Sequence, residues 1–279
     1  MIEVKNLVKR YGDHVAVNNL SFTVEEGQIY GFLGPNGAGK TTTIKAVLDL
    51  IRPDSGEITV LGERGSNLSV REKIGVVLED GGVPSTMSAA QVSTLLGRAY
   101  KNWNAEQFAS YIEKFGIDRE KAIKDYSKGM KTKLNLAAAL SHDAELLLLD
   151  EPTSGLDPVV RDEVLDLLYD FMQDENHAIL LSSHITSDLD KIADEITFIH
   201  KGEVLLSEPR DELLDTCGIL RCTADQLNAL DPSAVRAKRV GAFGCEALVR
   251  RDGVPENWSV EPVNIEQIML FLTRGEDAR

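Results

Sequence analysis

Hydrophobic residues along this chain follow two patterns, short continuous runs and positions spaced three or four residues apart. Continuous runs occupy residues 28–33, 146–149 and 178–183. A strand that is apolar on both faces is typical of a parallel sheet covered by helices on both sides. Further short strands are predicted at residues 20–24, where apolar and polar residues alternate, and at residues 56–62, between two glycines. The pattern therefore predicts an α/β fold.

Helical spacing dominates the middle of the chain. Residues 91–100, 105–115 and 129–140 each carry apolar side chains at three- and four-residue steps. We expect these helices to form an inserted segment at about residues 88–145. A hairpin is predicted over residues 195–208, with its turn at Lys201 and Gly202.

A shift in composition near Thr216 divides the chain into a main domain, residues 1–215, and a small α+β domain, residues 216–279. The small domain is predicted to contain a helix, then strands, then a closing helix, at residues 224–230, 234–250 and 265–272. None of its residues forms a motif that points to chemistry.

A glycine-rich loop lies between the predicted strand at residues 28–33 and the helical pattern that follows it. Residues 34–41 match every fixed position of G-x-x-x-x-G-K-[ST]. In such a loop, backbone N–H groups and a helix N-terminus surround phosphates, while the lysine reaches the β- and γ-phosphates and the hydroxyl ligates Mg²⁺. The alternative interpretation is that these residues form a glycine-rich turn that binds no ligand. The candidate nucleotide-binding residues are Gly34, Pro35, Asn36, Gly37, Ala38, Gly39, Lys40, Thr41 and Thr42.

Three polar residues follow two of the buried strands. Asp150 and Glu151 end the leucine run, and His184 follows residues 178–183. The carboxyl ends of parallel strands meet at the ligand edge of a sheet. We therefore expect Asp150 to hold Mg²⁺, Glu151 to activate water as general base, and His184 to contact the γ-phosphate. Alone, the leucine run could be a core strand entering a solvated turn. His14, His142, His177 and His200 are interpreted as surface or packing residues.

With these motifs in this order, residues 1 to about 215 resemble the ATP-binding subunit of an ABC transporter. The resemblance implies a P-loop cassette with a mixed central sheet, an N-terminal antiparallel β subdomain and a helical subdomain, followed here by the small C-terminal domain. Ser127 and Gly129 match the family signature LSGGQ, although Lys128 and Met130 do not. Tyr11 matches the aromatic residue that stacks on adenine, and Asp157 precedes Pro158 as an N-cap and joins the candidate nucleotide contacts.

One position departs from the family pattern. Where the family places a glutamine that ligates Mg²⁺, this chain has Glu79, followed by Asp80. A carboxylate can also ligate Mg²⁺, so Glu79 is a candidate metal and nucleotide ligand together with Thr41 and Asp150. This chain resembles some bacterial cassettes that also carry an acid here and the signature found at residues 126–130. Those cassettes work with a separately encoded permease, often in drug or peptide export.

The resemblance also implies partners. Two cassettes, identical or paralogous, would enclose two Mg-ATP molecules between the phosphate loop of one chain and Ser127 and Gly129 of the other. When the two cassettes close, their motion would be transmitted to a membrane permease. Two other functions stay open: an ABC-type ATPase acting in translation, repair or cluster assembly, and a nucleotide-sensing binding module. The C-terminal domain could pack on the cassette, mediate dimer contacts or bind a regulatory ligand.

The composition of the chain narrows the range of possible functions. The net charge of −15 argues against a nucleic-acid surface, which relies on basic patches. No apolar run approaches the length that spans a bilayer, and the N-terminus does not resemble a signal peptide. We therefore expect a cytoplasmic protein, peripheral at the inner face of the membrane through its permease. Cys217, Cys222 and Cys245 lack metal-site spacing and are expected to be free thiols.

Overall fold

A computed structural model of the chain describes residues 1–78, 82–241 and 244–274 and the backbone of residues 276 and 277. The strands of this part are β1 (Ile2–Tyr11), β2 (His14–Val24), β3 (Ile29–Leu33), β4 (Ser55–Val60), β5 (Ile74–Val77), β6 (Leu146–Asp150), β7 (Ala178–Ser183), β8 (Glu195–His200), β9 (Glu203–Pro209), β10 (Cys217–Cys222), β11 (Val235–Gly241), β12 (Gly244–Arg250), β13 (Val260–Glu261) and β14 (Glu276–Asp277). The helices are α1 (Lys40–Val47), α2 (Leu68–Arg71), α3 (Ala89–Ala99), α4 (Ala105–Lys114), α5 (Lys128–Ala139), α6 (Pro158–Phe171), α7 (Thr186–Ile192), α8 (Arg210–Thr216), α9 (Ala224–Ala229) and α10 (Ile265–Arg274).

A six-stranded sheet, in the order β5-β6-β7-β3-β8-β9, forms the centre of the cassette. Its first five strands are parallel, and β9 pairs antiparallel with β8 in the hairpin predicted to turn at Lys201 and Gly202. Every residue of β3, β6 and β7 is buried, because helices or a second sheet cover both faces. The predicted α/β fold with a mixed central sheet is confirmed.

Two hydrophobic cores lie on opposite faces of this sheet. On one face, Ile44 of α1 packs with residues of the antiparallel sheet β2-β1-β4, including Leu7 and Leu20. On the other face, side chains of α5, α6 and α7 form the second core, which includes Leu136, Val164 and Leu189. The predicted antiparallel β subdomain is therefore present.

The helical segment has a smaller core of its own. Apolar residues of α3, α4 and α5 meet there, among them Val92, Phe108 and Leu134. Ser88 caps α3 in a reciprocal pair of hydrogen bonds with Gln91, which fixes where the first of these helices begins. The three predicted helices are confirmed, each within two residues of its expected bounds at either end.

The C-terminal residues form an antiparallel sheet in the order β13-β10-β12-β11-β14. One face, with Ile219 and Leu248, joins the same core as α7, and α10 adds Ile268 and Phe271 to it. The other face packs with Leu227 of α9 in a separate cluster. Cys217, Cys222 and Cys245 are free thiols. The division into domains at residue 216 stays a prediction, since apolar side chains from both sides of it share one core.

In the part of the chain that the structure describes, no helix combines the length and apolar character needed to cross a bilayer.

Candidate nucleotide site

The glycine-rich loop connects β3 to α1 and is shaped by close backbone contacts. A Cβ atom on Gly34 would lie 2.4 Å from the carbonyl oxygen of Ile199, and one on Gly39 would lie 2.5 Å from that of Ala16. Gly39 also has φ of 111°, a conformation that other residues rarely adopt. As the N-cap of α1, it has no side chain to accept hydrogen bonds from the first turn. The N–H groups of that turn are therefore suited to an anionic ligand.

Lys40 is the first residue of α1, and its side chain is only 5% exposed. Its Nζ donates to the Gly34 carbonyl oxygen at 2.6 Å and to that of Pro35 at 3.3 Å. The same Nζ lies 3.0 Å from Glu151 Oε1. The lysine thus folds back over the loop and joins it to the end of β6.

Asp150 and Glu151 lie where β6 leaves the sheet, and Ser182 of β7 contacts both. Ser182 Oγ donates to Asp150 Oδ1 at 2.6 Å and accepts from the Glu151 backbone N–H at 3.0 Å. Glu151 has a left-handed backbone, with φ of 52°. Such a conformation costs free energy in a non-glycine residue and has to be held by its surroundings. Ser182 supplies one such restraint.

His184 lies immediately after β7 and faces Glu151. Its Nδ1 is 2.6 Å from Glu151 Oε2, and its backbone N–H donates to the same oxygen at 3.3 Å. One oxygen of the Glu151 carboxylate therefore hydrogen-bonds with His184, while the other is buried and faces Lys40 in an ion pair without a hydrogen bond among the described residues. Its side chain is 7% exposed, whereas that of His184 is 39% exposed.

An open pocket of about 300 Å³ lies in front of the phosphate loop. Tyr11, which is 49% exposed, and His14 form one wall at the turn between β1 and β2, where they pair across the two strands. The full lining is Tyr11, His14, Ala16, residues 36–42 and Glu151. The structure thus brings the predicted Tyr11, residues 36–42 of the phosphate loop and Glu151 to one cavity. It also adds His14, which the sequence assigned to the surface or to packing.

A larger cleft, of about 710 Å³, lies between α4 and the C-terminal end of α6 and includes Tyr111, Asp170 and His177. None of the predicted site residues lines it. Volume alone therefore does not locate the chemistry of this chain.

Seven predicted site residues in the described ranges do not line the pocket. Four of them, Gly34, Pro35, Asp150 and His184, contact or directly adjoin residues that do, and the other three are Ser127, Gly129 and Asp157. Ser127 is the exposed N-cap of α5, and its Oγ accepts from the Met130 N–H at 3.2 Å. Asp157 is the exposed N-cap of α6 and accepts from two N–H groups, both at 3.1 Å. A Cβ on Gly129 would lie 3.2 Å from Val160 Cγ1, so the two helix starts are neighbours. The starts of α5 and α6 therefore form a surface separate from the pocket.

The residues present fit a magnesium ion that is completed by phosphate and water. Asp150 Oδ2 is buried and has no hydrogen-bond partner among the described residues. Thr41 lines the pocket. No cluster of three or more His, Cys, Asp or Glu side chains in the described ranges could hold a metal alone. Mg²⁺ prefers oxygen ligands and usually keeps waters and substrate phosphates, so few protein ligands are needed. Glu79 lies outside the described residues.

Sequence reasoning missed three buried polar residues near this site, Ser182, Thr153 and Asp188. Ser182 and Ser183 end an otherwise apolar strand, which is a weak signal of a polar role. Thr153 Oγ1 donates to Asp188 Oδ2 at 2.5 Å across a separation of 35 residues. No spacing rule along the chain would have joined those two.

Comparison with known proteins agrees with the geometry. The family model described as ABC transporter matches residues 17–154. The chain is 37% identical to the bacitracin transport ATP-binding protein BcrA of Bacillus licheniformis, over 76% of this chain and 71% of that protein. It is 31% identical to the Nod factor export ATP-binding protein I of Burkholderia lata, over 99% of this chain and 97% of that protein. A solved ATP-binding subunit of an ABC transporter superposes with a TM-score of 0.70 at 26% identity, covering 77% of this chain and 92% of that one. The chain therefore belongs to the ABC transporter family, as an ATPase subunit that binds ATP and powers transport.

Proposed function

We propose that this subunit drives export through a separately encoded permease, by hydrolysing Mg-ATP at the pocket in front of the phosphate loop. The observation that carries the proposal is the position of Glu151. Its buried carboxylate lies at the wall of that pocket, between Lys40 and His184. A carboxylate that is held in place beside phosphate-binding groups is suited to accept a proton from water.

Binding and hydrolysis can be described from the chain's own groups. The α1 N-terminus and the loop N–H groups bind the phosphates, and Tyr11 stacks on the base. Lys40 turns from Glu151 Oε1 toward the β- and γ-phosphates. That movement leaves Oε1 to accept the proton of the attacking water, while Oε2 stays against His184 Nδ1. When the imidazole is protonated, its Nε2 can donate to a γ-phosphate oxygen.

Mg²⁺ would be held by the Thr41 hydroxyl and the Asp150 carboxylate, with Glu79 as the further ligand that the sequence suggests. Bound there, it would neutralise charge on the phosphates. Ser182 orients Asp150 through its Oγ. This leaves the buried Oδ2 as the oxygen for the ion or its water.

A second cassette, identical or paralogous, would complete the site. Ser127 and Asp157 are exposed and lie outside the pocket of their own chain, so they are available to the nucleotide of a partner cassette. Export is proposed because one relative, which matches nearly the whole chain, is named a Nod factor export ATP-binding protein. Another relative is named a bacitracin transport ATP-binding protein, which supports transport without giving its direction. The chain would then act at the inner face of the membrane, bound to its permease.

The test of the mechanism is Mg²⁺-dependent ATP hydrolysis by the parent chain and by Glu151→Gln. Loss of a general base typically costs about 10²- to 10⁴-fold in turnover. We therefore expect Glu151→Gln to lose at least about 100-fold in kcat while still binding ATP, and to accumulate as an ATP-bound dimer in size-exclusion chromatography.

The matched control is Glu145→Gln. Glu145 immediately precedes the same strand, β6, at its opposite end, where it pairs with Lys73. Its variant should hydrolyse ATP at the parent rate. Turnover within about threefold of the parent in Glu151→Gln would be too small a loss for a general base and would exclude that role for Glu151.

Export itself is tested in inverted membrane vesicles that contain the permease. ATP added outside should drive accumulation of the transported compound, and Glu151→Gln should abolish it. Accumulation only in right-side-out vesicles, with ATP inside, would reverse the proposed direction.

A further inference from the structure

Asp188 is a buried carboxylate that none of the nucleotide-site motifs includes. It lies in the first turn of α7 and is 2% exposed. Burying a charged group is costly unless it is paired or hydrogen-bonded. Its Oδ2 accepts a 2.5 Å hydrogen bond from Oγ1 of Thr153, which is itself 1% exposed. Two buried polar groups thus satisfy each other beneath the surface.

The two residues belong to the segments that carry Glu151 and His184. Thr153 follows Glu151 by two positions, and Asp188 follows His184 by four. These segments already meet at the 2.6 Å contact between Glu151 Oε2 and His184 Nδ1. The bond between Thr153 and Asp188 is therefore a second connection between the same two segments, deeper in the protein.

A third segment reaches the same carboxylate. Arg161 Nε of α6 lies 3.9 Å from Asp188 Oδ1 and has no hydrogen-bond partner among the described residues. Arg161 is one turn from Asp157, whose carbonyl accepts its backbone N–H at 3.0 Å. Asp188 thus connects α7 with both ends of the turn that runs from Glu151 to Asp157.

The connection between the two segments matters because of the backbone conformation of Glu151. Its left-handed conformation persists only while the neighbouring structure holds it. Upstream, the Ser182 hydroxyl holds the Glu151 N–H. Downstream, the Ser154 N–H donates to the Glu151 carbonyl oxygen at 3.2 Å, and the Thr153 hydroxyl fixes that part of the turn to α7.

We propose that Thr153 and Asp188 are positioning residues for ATP hydrolysis: their hydrogen bond sets the placement of the Glu151 carboxylate relative to His184. The inference rests on the proposed role of Glu151 as general base. It assigns neither residue a contact with nucleotide. Removing the bond should therefore slow the chemical step and leave nucleotide binding in place.

The experiment replaces the hydroxyl with a methyl group of similar size, in Thr153→Val. A misplacement of about 1 Å can cost about 100-fold in rate, so we expect kcat to fall about 10- to 100-fold. The affinity for a fluorescent ATP analogue should stay within about twofold of the parent. Thr153→Ser keeps the hydroxyl and should restore most of the lost kcat.

The matched control is Thr197→Val. Thr197 is also a fully buried threonine, on β8, with its hydroxyl bonded to those of Tyr30 and Ser207. This variant should keep kcat even where its melting temperature falls, because its hydroxyl bonds to Tyr30 and Ser207 rather than to the segments that carry Glu151 and His184.

Three results would overturn the inference: parent-like kcat in Thr153→Val, equal loss of kcat and ATP affinity, or failure of Thr153→Ser to recover turnover. A parent-like kcat in Glu151→Gln would instead remove the general base on which the inference rests. An inactive Glu151→Gln beside a fully active Thr153→Val would leave the proposed function intact and remove only this inference.

Discussion

Two ion pairs of the same length lie in contrasting parts of this molecule. Lys40 and Glu151, at the phosphate loop, are 3.0 Å apart, as are Arg221 and Glu246 on the C-terminal sheet. The first pair has side chains 5% and 7% exposed, and the second has side chains 61% and 44% exposed. The same separation between charged atoms therefore occurs in a buried pair and in an exposed one.

The type of sheet explains the difference. β6 is buried on both faces within a parallel sheet, so charged residues occur only at its end, beside the phosphate loop. β10 and β12 pair antiparallel and expose part of their length, where Arg221 also reaches Glu261. A buried pair loses its hydration and is often no more stable than apolar residues. Position in a working site is thus the better explanation for Lys40 and Glu151.

Among the three substitutions that follow, the largest effect on turnover is expected from Lys40→Ala. Removing one group that stabilises charge in the transition state typically costs about 10²- to 10³-fold in kcat. Steady-state ATP hydrolysis should show that loss, together with weaker nucleotide binding. Arg221→Ala is the matched removal of a cation from the other pair and should leave both unchanged. If Lys40→Ala kept turnover within about tenfold of the parent, the two pairs would not differ in function.

An effect on stability rather than on turnover is expected from Phe271→Ala, which tests how firmly the C-terminal region is joined to the rest of the chain. Phe271 is 3% exposed and lies in the core that contains Leu189. Truncating such a phenylalanine costs about 3–5 kcal/mol of unfolding free energy. Urea denaturation, followed by circular dichroism, measures this loss of unfolding free energy. The control is Val240→Ala, at a 61% exposed position of β11 in the C-terminal sheet. A loss below about 1 kcal/mol would mean that α10 is not part of the common core.

The smallest effect is expected from Glu246→Gln. Exposed pairs contribute little, because water screens them and both side chains lose freedom in forming them. The urea midpoint and kcat should equal those of the parent. A lowered midpoint for Glu246→Gln would contradict this picture of the C-terminal sheet and would show that its surface charges act as a network.

Local signals make much of the fold and of the candidate site predictable. The phosphate loop is a contiguous motif, and the leucine run of β6 reports burial on both faces directly. The hairpin at Lys201 and Gly202 is predictable because glycine supplies a positive φ, here 83°. Helix starts at Ser127 and Asp157 follow from side chains that cap N-termini.

Contacts between distant residues are not predictable in this way. Ser182 holds Glu151 across 31 residues, and Thr153 reaches Asp188 across 35, because β6 and β7 are neighbours in the sheet. His14 reaches the pocket because its strand pairing with Tyr11 places it there. The roles of Tyr11, Ser127, Gly129 and Asp157 toward nucleotide stay predictions.

The core shared by α7 and the C-terminal sheet limits how this protein can be divided. Truncation after residue 215 would uncover Leu189, Ile192 and Leu213, which now pack in the same cluster as Ile219, Ile268 and Phe271. Exposed apolar surface of that kind favours self-association. The isolated cassette would accordingly be a poorly soluble fragment, and its aggregation would be a property of the truncation rather than of the ATPase.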